Sequence, residues 1–156
     1  METFLTVVRS IGLLLARIAF GVVMVMHGWA RWSGDAGIAG QIDYLTQAGI
    51  PQPVLVAWGT LLLEVVGGVL LMFGAFTPAV ALFFLVEHVL VLVMFKWRHG
   101  LTIETGGFEY SLLLAALSLL FLVYGSGKAG VDALFLRPRG ERQPRESRQV
   151  NDADPA

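Results

Sequence analysis

The chain is 156 residues long and 56% hydrophobic, with 15% charged residues, eighteen glycines, no cysteine and a formal net charge of −1. Soluble domains carry about 25% charge, and here nearly all of it sits in the N-terminus, two connecting loops and the last twenty residues, which excludes an ordinary soluble domain. The missing cysteines exclude a disulfide framework, a CxxC redox motif, a thiolate metal site and a nucleophilic thiol, and nothing in the charge balance or in the glycine spacing points to nucleic acid or a phosphate-binding loop.

Crossing ~30 Å of hydrocarbon takes about 20 mostly apolar residues, and four windows qualify: residues 11–29, 54–73, 79–97 and 106–125. They predict an all-α fold, a polytopic membrane bundle of four helices occupying residues 1–136 as one domain, with the lipid bilayer as its first partner. The first window comes after Arg9 like a signal peptide, but it exceeds a 7 to 15 residue apolar region, carries Arg17 and ends in His27, Gly28 and Trp29 rather than a small-residue cleavage site, so it reads as a retained helix. The loop over residues 33–53 is rich in glycine and proline, and Ile42, Tyr44 and Leu45 suggest a short amphipathic segment lying on the surface. Phe76, Thr77 and Pro78 leave room only for a tight turn, which makes the second and third spans antiparallel neighbours. Residues 137–156, rich in Pro, Arg, Glu and Gln, have too little apolar surface to fold and read as a disordered polar tail.

Orientation comes from the basic residues outside the spans. Arg9, Lys128, Arg137, Arg139, Arg142, Arg145 and Arg148 lie at the two ends, against Arg31, Lys96 and Arg98 on the other side, which places both termini in the cytoplasm of a cell membrane. Trp29, Trp32, Trp58 and Trp97 all fall at the opposite boundary, where indoles favour the interface.

Six ionisable residues interrupt the windows: Arg17, His27, Glu64, Glu87, His88 and Glu109. A charge at the bilayer centre costs at least ~2.5 to 3.5 kcal/mol, so these groups must face one another or water. Counting from the cytoplasmic ends at ~1.5 Å per residue puts Arg17, Glu87, Glu64 and His88 about 9 to 14 Å up, as one polar layer, with His27 and Glu109 at about 24 Å as a second. In the lower layer Arg17 is expected to pair with Glu64, since a guanidinium matches a carboxylate in two places. Glu64, Gly67 and Gly68 share one helix face, as do Arg17 and Gly21, and the glycines permit close helix approach. Glu87 and His88 are about 100° apart and must address different neighbours. In the upper layer a neutral imidazole and a carboxylate near the interface could hold a quinone headgroup, making His27 and Glu109 the candidate cofactor site. The depth difference between His27 and His88 speaks against one haem held by both, and no metal constellation is present.

The residues resemble those of the DoxX family of four-helix membrane proteins, which is related to the DoxD subunit of thiosulfate:quinone oxidoreductase. The resemblance runs from Arg17 to Asp132. It rests on the stretch Arg17 to Arg31 with His27 and Gly28, on Glu64-Val65-Val66-Gly67-Gly68, and on Gly107-Phe108-Glu109-Tyr110 with Gly125, Ser126, Gly127 and Asp132. Glu87 and His88 match no motif of that family, and the segment after Gly125 departs from its glycine-proline pattern. The resemblance implies a membrane subunit of an oxidoreductase assembly, with quinone or sulfur-linked electron transfer and with Arg17, His27, Glu64 and Glu109 as its polar residues; the lack of cysteine, flavin motif and haem pair in the sequence adds a soluble redox partner to carry the electrons. The residues by themselves leave two alternatives open. One is a small proton-coupled transporter using Arg17, Glu64, Glu87 and His88, for which four helices leave little room without a homodimer. The other is a non-catalytic scaffold whose polar layers only specify packing.

Overall fold

The computed structural model describes residues 2–127 and 130–132; the expected polar tail over residues 137–156 and the basic residues counted there lie outside them. Helix α1 spans Glu2–Ser33, the short α2 spans Gly37–Gln47, α3 spans Pro53–Phe73, α4 spans Thr77–His99 and α5 spans Glu109–Tyr124. Among the described residues α1, α3 and α4 are long and apolar enough to cross a membrane, and α5 is a shorter apolar helix. The architecture is an all-α membrane bundle, with large side chains such as Leu15, Leu55, Phe83, Val93 and Leu113 turned outward as lipid-facing surface.

Two boundaries differ from the sequence expectation, and both change where polar residues sit along the bundle. α1 has 32 residues, about 48 Å of helix, and begins well before residue 11 because nothing in Glu2 to Ser10 breaks a helix. α5 has 16 residues, about 24 Å, because Gly106 sits at φ +80° and the chain from Gly100 to Glu109 folds back on itself. That turn is closed by Phe108 N–H to Gly100 O at 3.0 Å and Glu109 N–H to Leu101 O at 2.9 Å.

Each helix buries a stripe at helical spacing. On α1 it is Arg17, Phe20, Gly21, Met24 and Gly28; on α3 Ala57, Leu61, Glu64, Gly67, Gly68 and Leu71; on α4 Thr77, Val80, Ala81, Phe84 and His88; on α5 Ser111, Leu114, Ala115, Ser118 and Phe121. α1 packs most extensively on α3 and α4 on α5. Phe20 ties the pairs together, meeting Phe84 edge-on at 5.2 Å and Phe121 at 5.7 Å between ring centroids. Lipid offers no hydrophobic drive for helices to associate, so close backbone contact has to supply it. It does so where Gly21 faces Gly68: a Cβ on Gly21 would press on the Gly68 carbonyl and the Met72 side chain.

The end of the bundle holding the α3–α4 turn is closed by the segment after α5. Val131 N–H donates to Phe73 O at 3.2 Å and Asp132 N–H to Gly74 O at 2.9 Å. The Asp132 carboxylate then takes the first free amides of α4, from Phe76 at 2.7 Å and Thr77 at 2.9 Å. It is a helix cap supplied from 55 residues away in sequence.

This packing sets two stability outcomes. Gly21→Leu lowers unfolding free energy by about 1 to 3 kcal/mol through overpacking at the α1–α3 contact, read by circular dichroism during heating in mild detergent, whereas Gly12→Ala, where a Cβ meets nothing within 4 Å, leaves it unchanged. Asp132→Ala removes a charged cap and lowers stability by about 1 to 2 kcal/mol, with Asp132→Asn intermediate because the amide keeps only one acceptor.

Candidate functional site

The centre of the site is an ion pair between two helices. Arg31 in the last turn of α1 and Glu64 in the middle of α3 meet at 2.9 Å, from Arg31 Nη2 to Glu64 Oε1, with Glu64 only 3% exposed and Arg31 29% exposed. Arg31 Nη1 also donates to Thr60 Oγ1 at 3.5 Å, one turn along α3, and Thr60 donates to Ala57 O at 3.1 Å. Glu64 stands in a π-helical turn, Leu63–Gly67, which widens the helix locally; such turns recur where a helix must aim a side chain at a site. Gly28 of α1 lies against Val65 and Glu64, so the glycine brings the two backbones together where the charges meet.

Glu87 of α4 completes the cluster. It lines the same cavity as Arg31, and its Oε2 is buried without a hydrogen-bond partner among the described residues, as is Glu64 Oε2. Its neighbour His88 turns away toward Phe20, with ring centroids 6.3 Å apart. His88 Nδ1–H donates to Phe84 O at 2.8 Å, which fixes the tautomer and leaves Nε2 as the acceptor of a neutral ring. The two residues thus address different neighbours, as their angular separation requires.

Arg31 and Glu87 open onto a partly open cavity of about 990 Å³. Its walls are α3 and α4, including Leu63, Phe83, Val86, Leu90 and Met94, and α2 covers it with Gln41, Tyr44 and Leu45. Tyr44 rests on Phe95 of α4 with ring centroids 5.5 Å apart, and Leu45 is the buried residue of α2. A second π-helical segment, Leu92–Lys96, contributes Met94, Phe95 and Lys96 to the far wall. An apolar cleft with a few convergent polar groups at one end is the ordinary form of a site for a lipophilic small molecule.

The structure redistributes the residues singled out in the sequence. Arg17 does not pair with Glu64: it is fully buried at the other end of the bundle, against Gly74 and Gly130 and under the charge of Asp132, while Glu64 stands ten residues, about 15 Å, further along α3. The register of α1 on α3 explains it: Gly21 packs on Gly68 and Gly28 on Val65 and Glu64, so Arg17 falls level with Gly74 while the residues before it overhang that end of the bundle, and Arg31 comes within reach of Glu64. Nor are His27 and Glu109 joined. His27 Nε2 shares a hydrogen bond of 3.0 Å with Tyr110 Oη, the rings stacked with centroids 5.4 Å apart. Glu109 Oε1 instead accepts from Ile103 N–H at 3.0 Å, holding the loop before α5. Among the described residues, no three His, Asp or Glu side chains are placed to hold a metal ion.

Sequence reasoning passes over Arg31 and Tyr110. Arg31 counts as a loop charge there because the apolar window ends at Trp29. Its spacing holds the signal: Arg17, Gly21, Met24, Gly28 and Arg31 recur every three or four residues on one face.

Comparison with known proteins agrees with this architecture. A family model described as DoxX matches residues 12–97, which include Arg31, Glu64, Glu87 and most of the cavity wall. The chain is 26% identical over 127 residues to the inner membrane protein YqjF of Escherichia coli, covering 81% of this chain and 94% of that one. It is 28% identical over 110 residues to the Bacillus subtilis protein named "Putative oxidoreductase CatD", covering 70% and 78%, and 26% identical over 129 residues to the inner membrane protein YphA of Escherichia coli, covering 80% and 90%. No solved structure matches. With more than half its length matched by the family model, and relatives that align over most of their own lengths, the chain belongs to the DoxX family of membrane proteins.

Proposed function

We propose that the protein is a cell-membrane subunit of an oxidoreductase assembly that takes a lipophilic quinone from the bilayer into the cavity under α2. The observation that carries this reading is that Arg31, ion-paired with Glu64, and Glu87, whose buried Oε2 has no hydrogen-bond partner among the described residues, both line one mainly apolar cavity. Quinones partition into hydrocarbon, and their heads need a few fixed polar contacts; Arg31, held by Glu64 and Thr60, offers donors in a fixed position. The name of the Bacillus subtilis relative supports the reaction class. The chain has no cysteine and no flavin motif with which to carry electrons, so a soluble redox partner supplies or removes them. Both termini face the cytoplasm, and the basic C-terminal segment is the natural contact for that partner or for anionic lipid. In this reading the site is Arg31, Glu64 and Glu87, with His27 and Tyr110 on the α1–α5 side and Arg17 as a packing residue at the closed end.

Affinity purification from native membranes in mild detergent, with mass spectrometry of bound lipids and proteins, tests the proposal. The wild-type protein should carry a prenylated quinone and a redox enzyme. Gly59→Phe, which projects a ring into the cavity from a position where a Cβ meets nothing within 4 Å, should carry at least fivefold less quinone at equal yield. Bare protein in both preparations would sink the proposal.

A scaffold whose ion pair only fixes packing predicts something different for the charges. Arg31→Leu and Glu64→Leu should each destabilise, by about 1 to 3 kcal/mol once partial exposure of Arg31 is allowed for, and the double variant should recover most of that loss. Under the proposed function the double variant recovers folding and not quinone retention. Recovery of both would assign the pair to packing.

A further inference from the structure

We infer that the cavity also holds an anionic phospholipid from the leaflet at the Arg31 end of the bundle, its phosphate bound at Lys96 and one acyl chain lying along the α4 wall. The inference goes beyond the quinone reading, which concerns the polar groups around Arg31, and stands or falls without it. Lys96 lines the cavity and is half-buried, and among the described residues it makes no ion pair. Arg31, the other cation on the wall, is already met by Glu64 at 2.9 Å. Glu87, the acid that shares the cavity, stands nine residues back along α4, about 13 Å away. Lys96 is therefore a charge with apolar space beside it and no counter-charge among the described residues.

The fold holds the backbone of that charge in place, which separates it from a lysine at a frayed helix end. Lys96 closes the widened turn Leu92–Lys96, and the rings on either side of it are both engaged. Phe95 meets Tyr44 of α2 with ring centroids 5.5 Å apart, and Trp97 stacks on Phe108, the residue before α5, at 5.3 Å. Indoles favour the headgroup level of a membrane, so Trp97 sets Lys96 at the depth of lipid phosphates. Arg98 and His99, the next basic residues, are exposed and lie outside the cavity wall.

The wall below Lys96 suits a hydrocarbon chain. Phe83, Val86, Leu90 and Met94 line the cavity and are also exposed, so this side lies open toward lipid and a chain can enter it from the bilayer. A phosphodiester brings one negative charge and several acceptors to the three donors of an ammonium group. Gln41 and Tyr44 of α2 line the same cavity and can hydrogen-bond the hydroxyls of a glycerol head. A choline head fits less well, because its quaternary ammonium cancels the phosphate charge, sets a second cation near Lys96 and has no N–H to donate.

Native mass spectrometry of the full-length protein tests this, after its lipids are exchanged for an equimolar mixture of phosphatidylglycerol and phosphatidylcholine with identical chains. Wild type should retain one phosphatidylglycerol per chain, about fivefold or more over phosphatidylcholine. Lys96→Gln should lose that preference and Lys96→Arg keep it, while Arg98→Gln, which removes a charge just outside the cavity, should leave it unchanged. Gly59→Phe, which fills space on the cavity wall, should lower retention of both lipids. Monodispersity and helicity confirm that each variant is folded. Equal retention of the two lipids by wild type, or a preference that survives Lys96→Gln, overturns the inference. Equal loss in Lys96→Gln and Arg98→Gln assigns the effect to the charged surface at large and overturns it too. Quinone is left out of this exchange, so its retention from native membranes is a separate result and either reading can fail alone.

Discussion

Hydrocarbon does not tolerate an unpaired charge, and the contact between Arg31 and Glu64 at 2.9 Å is the arrangement to which the rest of the structure is fitted. It sets the register of α1 against α3, because a slip by one turn would strand a guanidinium or a carboxylate at a cost of several kcal/mol. For the charges to meet, the backbones must come close, which Gly28 against Val65 and Gly21 against Gly68 allow. The carboxylate must also leave its helix at the right angle, which the π-helical turn at Leu63–Gly67 provides. Glycines, helical distortion and ion pair are thus parts of one solution, and removing any of them exposes the others.

The two ends of the bundle are built on opposite principles. Around Arg17 everything is closed: the guanidinium is fully buried, Gly74 and Gly130 crowd it, and Asp132 bridges from the last described segment to the first amides of α4. At the Arg31 end the helices part instead. α2 spreads over the gap, held by Leu45 and by Tyr44 on Phe95, and the space beneath stays open. One end fixes the helices so that the other can hold a cavity without the bundle falling apart.

Much of this is legible in the sequence, and the failures come from depth and from angular position. Four apolar windows, the amphipathic segment around Tyr44 and Leu45, the tight turn at Phe76 to Pro78 and the glycine face shared by Glu64, Gly67 and Gly68 all come from hydropathy and periodicity, and each has its counterpart in the structure. Depth does not, because counting starts at the edges of apolar windows, and helices continue past those edges. α1 runs from Glu2 to Ser33 and overhangs the α3–α4 turn, and with Gly21 on Gly68 and Gly28 on Val65 Arg17 lies at the closed end while Arg31 reaches Glu64. Angle is the second failure: at His27's depth it is Tyr110, adjacent to Glu109 and about 100° round the helix, that meets the imidazole. Hydropathy averages over a turn or more and so cannot resolve which of two neighbouring residues faces inward.

The cavity is invisible to such reasoning for a further reason: it arises from two departures from α-helical geometry that leave no mark on hydropathy. The widened turns at Leu63–Gly67 in α3 and Leu92–Lys96 in α4 both contribute to its walls, through Leu63 on one side and Met94, Phe95 and Lys96 on the other. A widened turn weakens its own hydrogen bonding and persists where the surroundings gain from it. In α3 the gain is the placement of Glu64. In α4 the widened turn sets Met94, Phe95 and Lys96 on the cavity wall, and what it leaves is room beneath α2. Both departures from α-helical geometry thus flank the one apolar space that the proposed ligand would occupy, and straight helices in their place would pack that space closed.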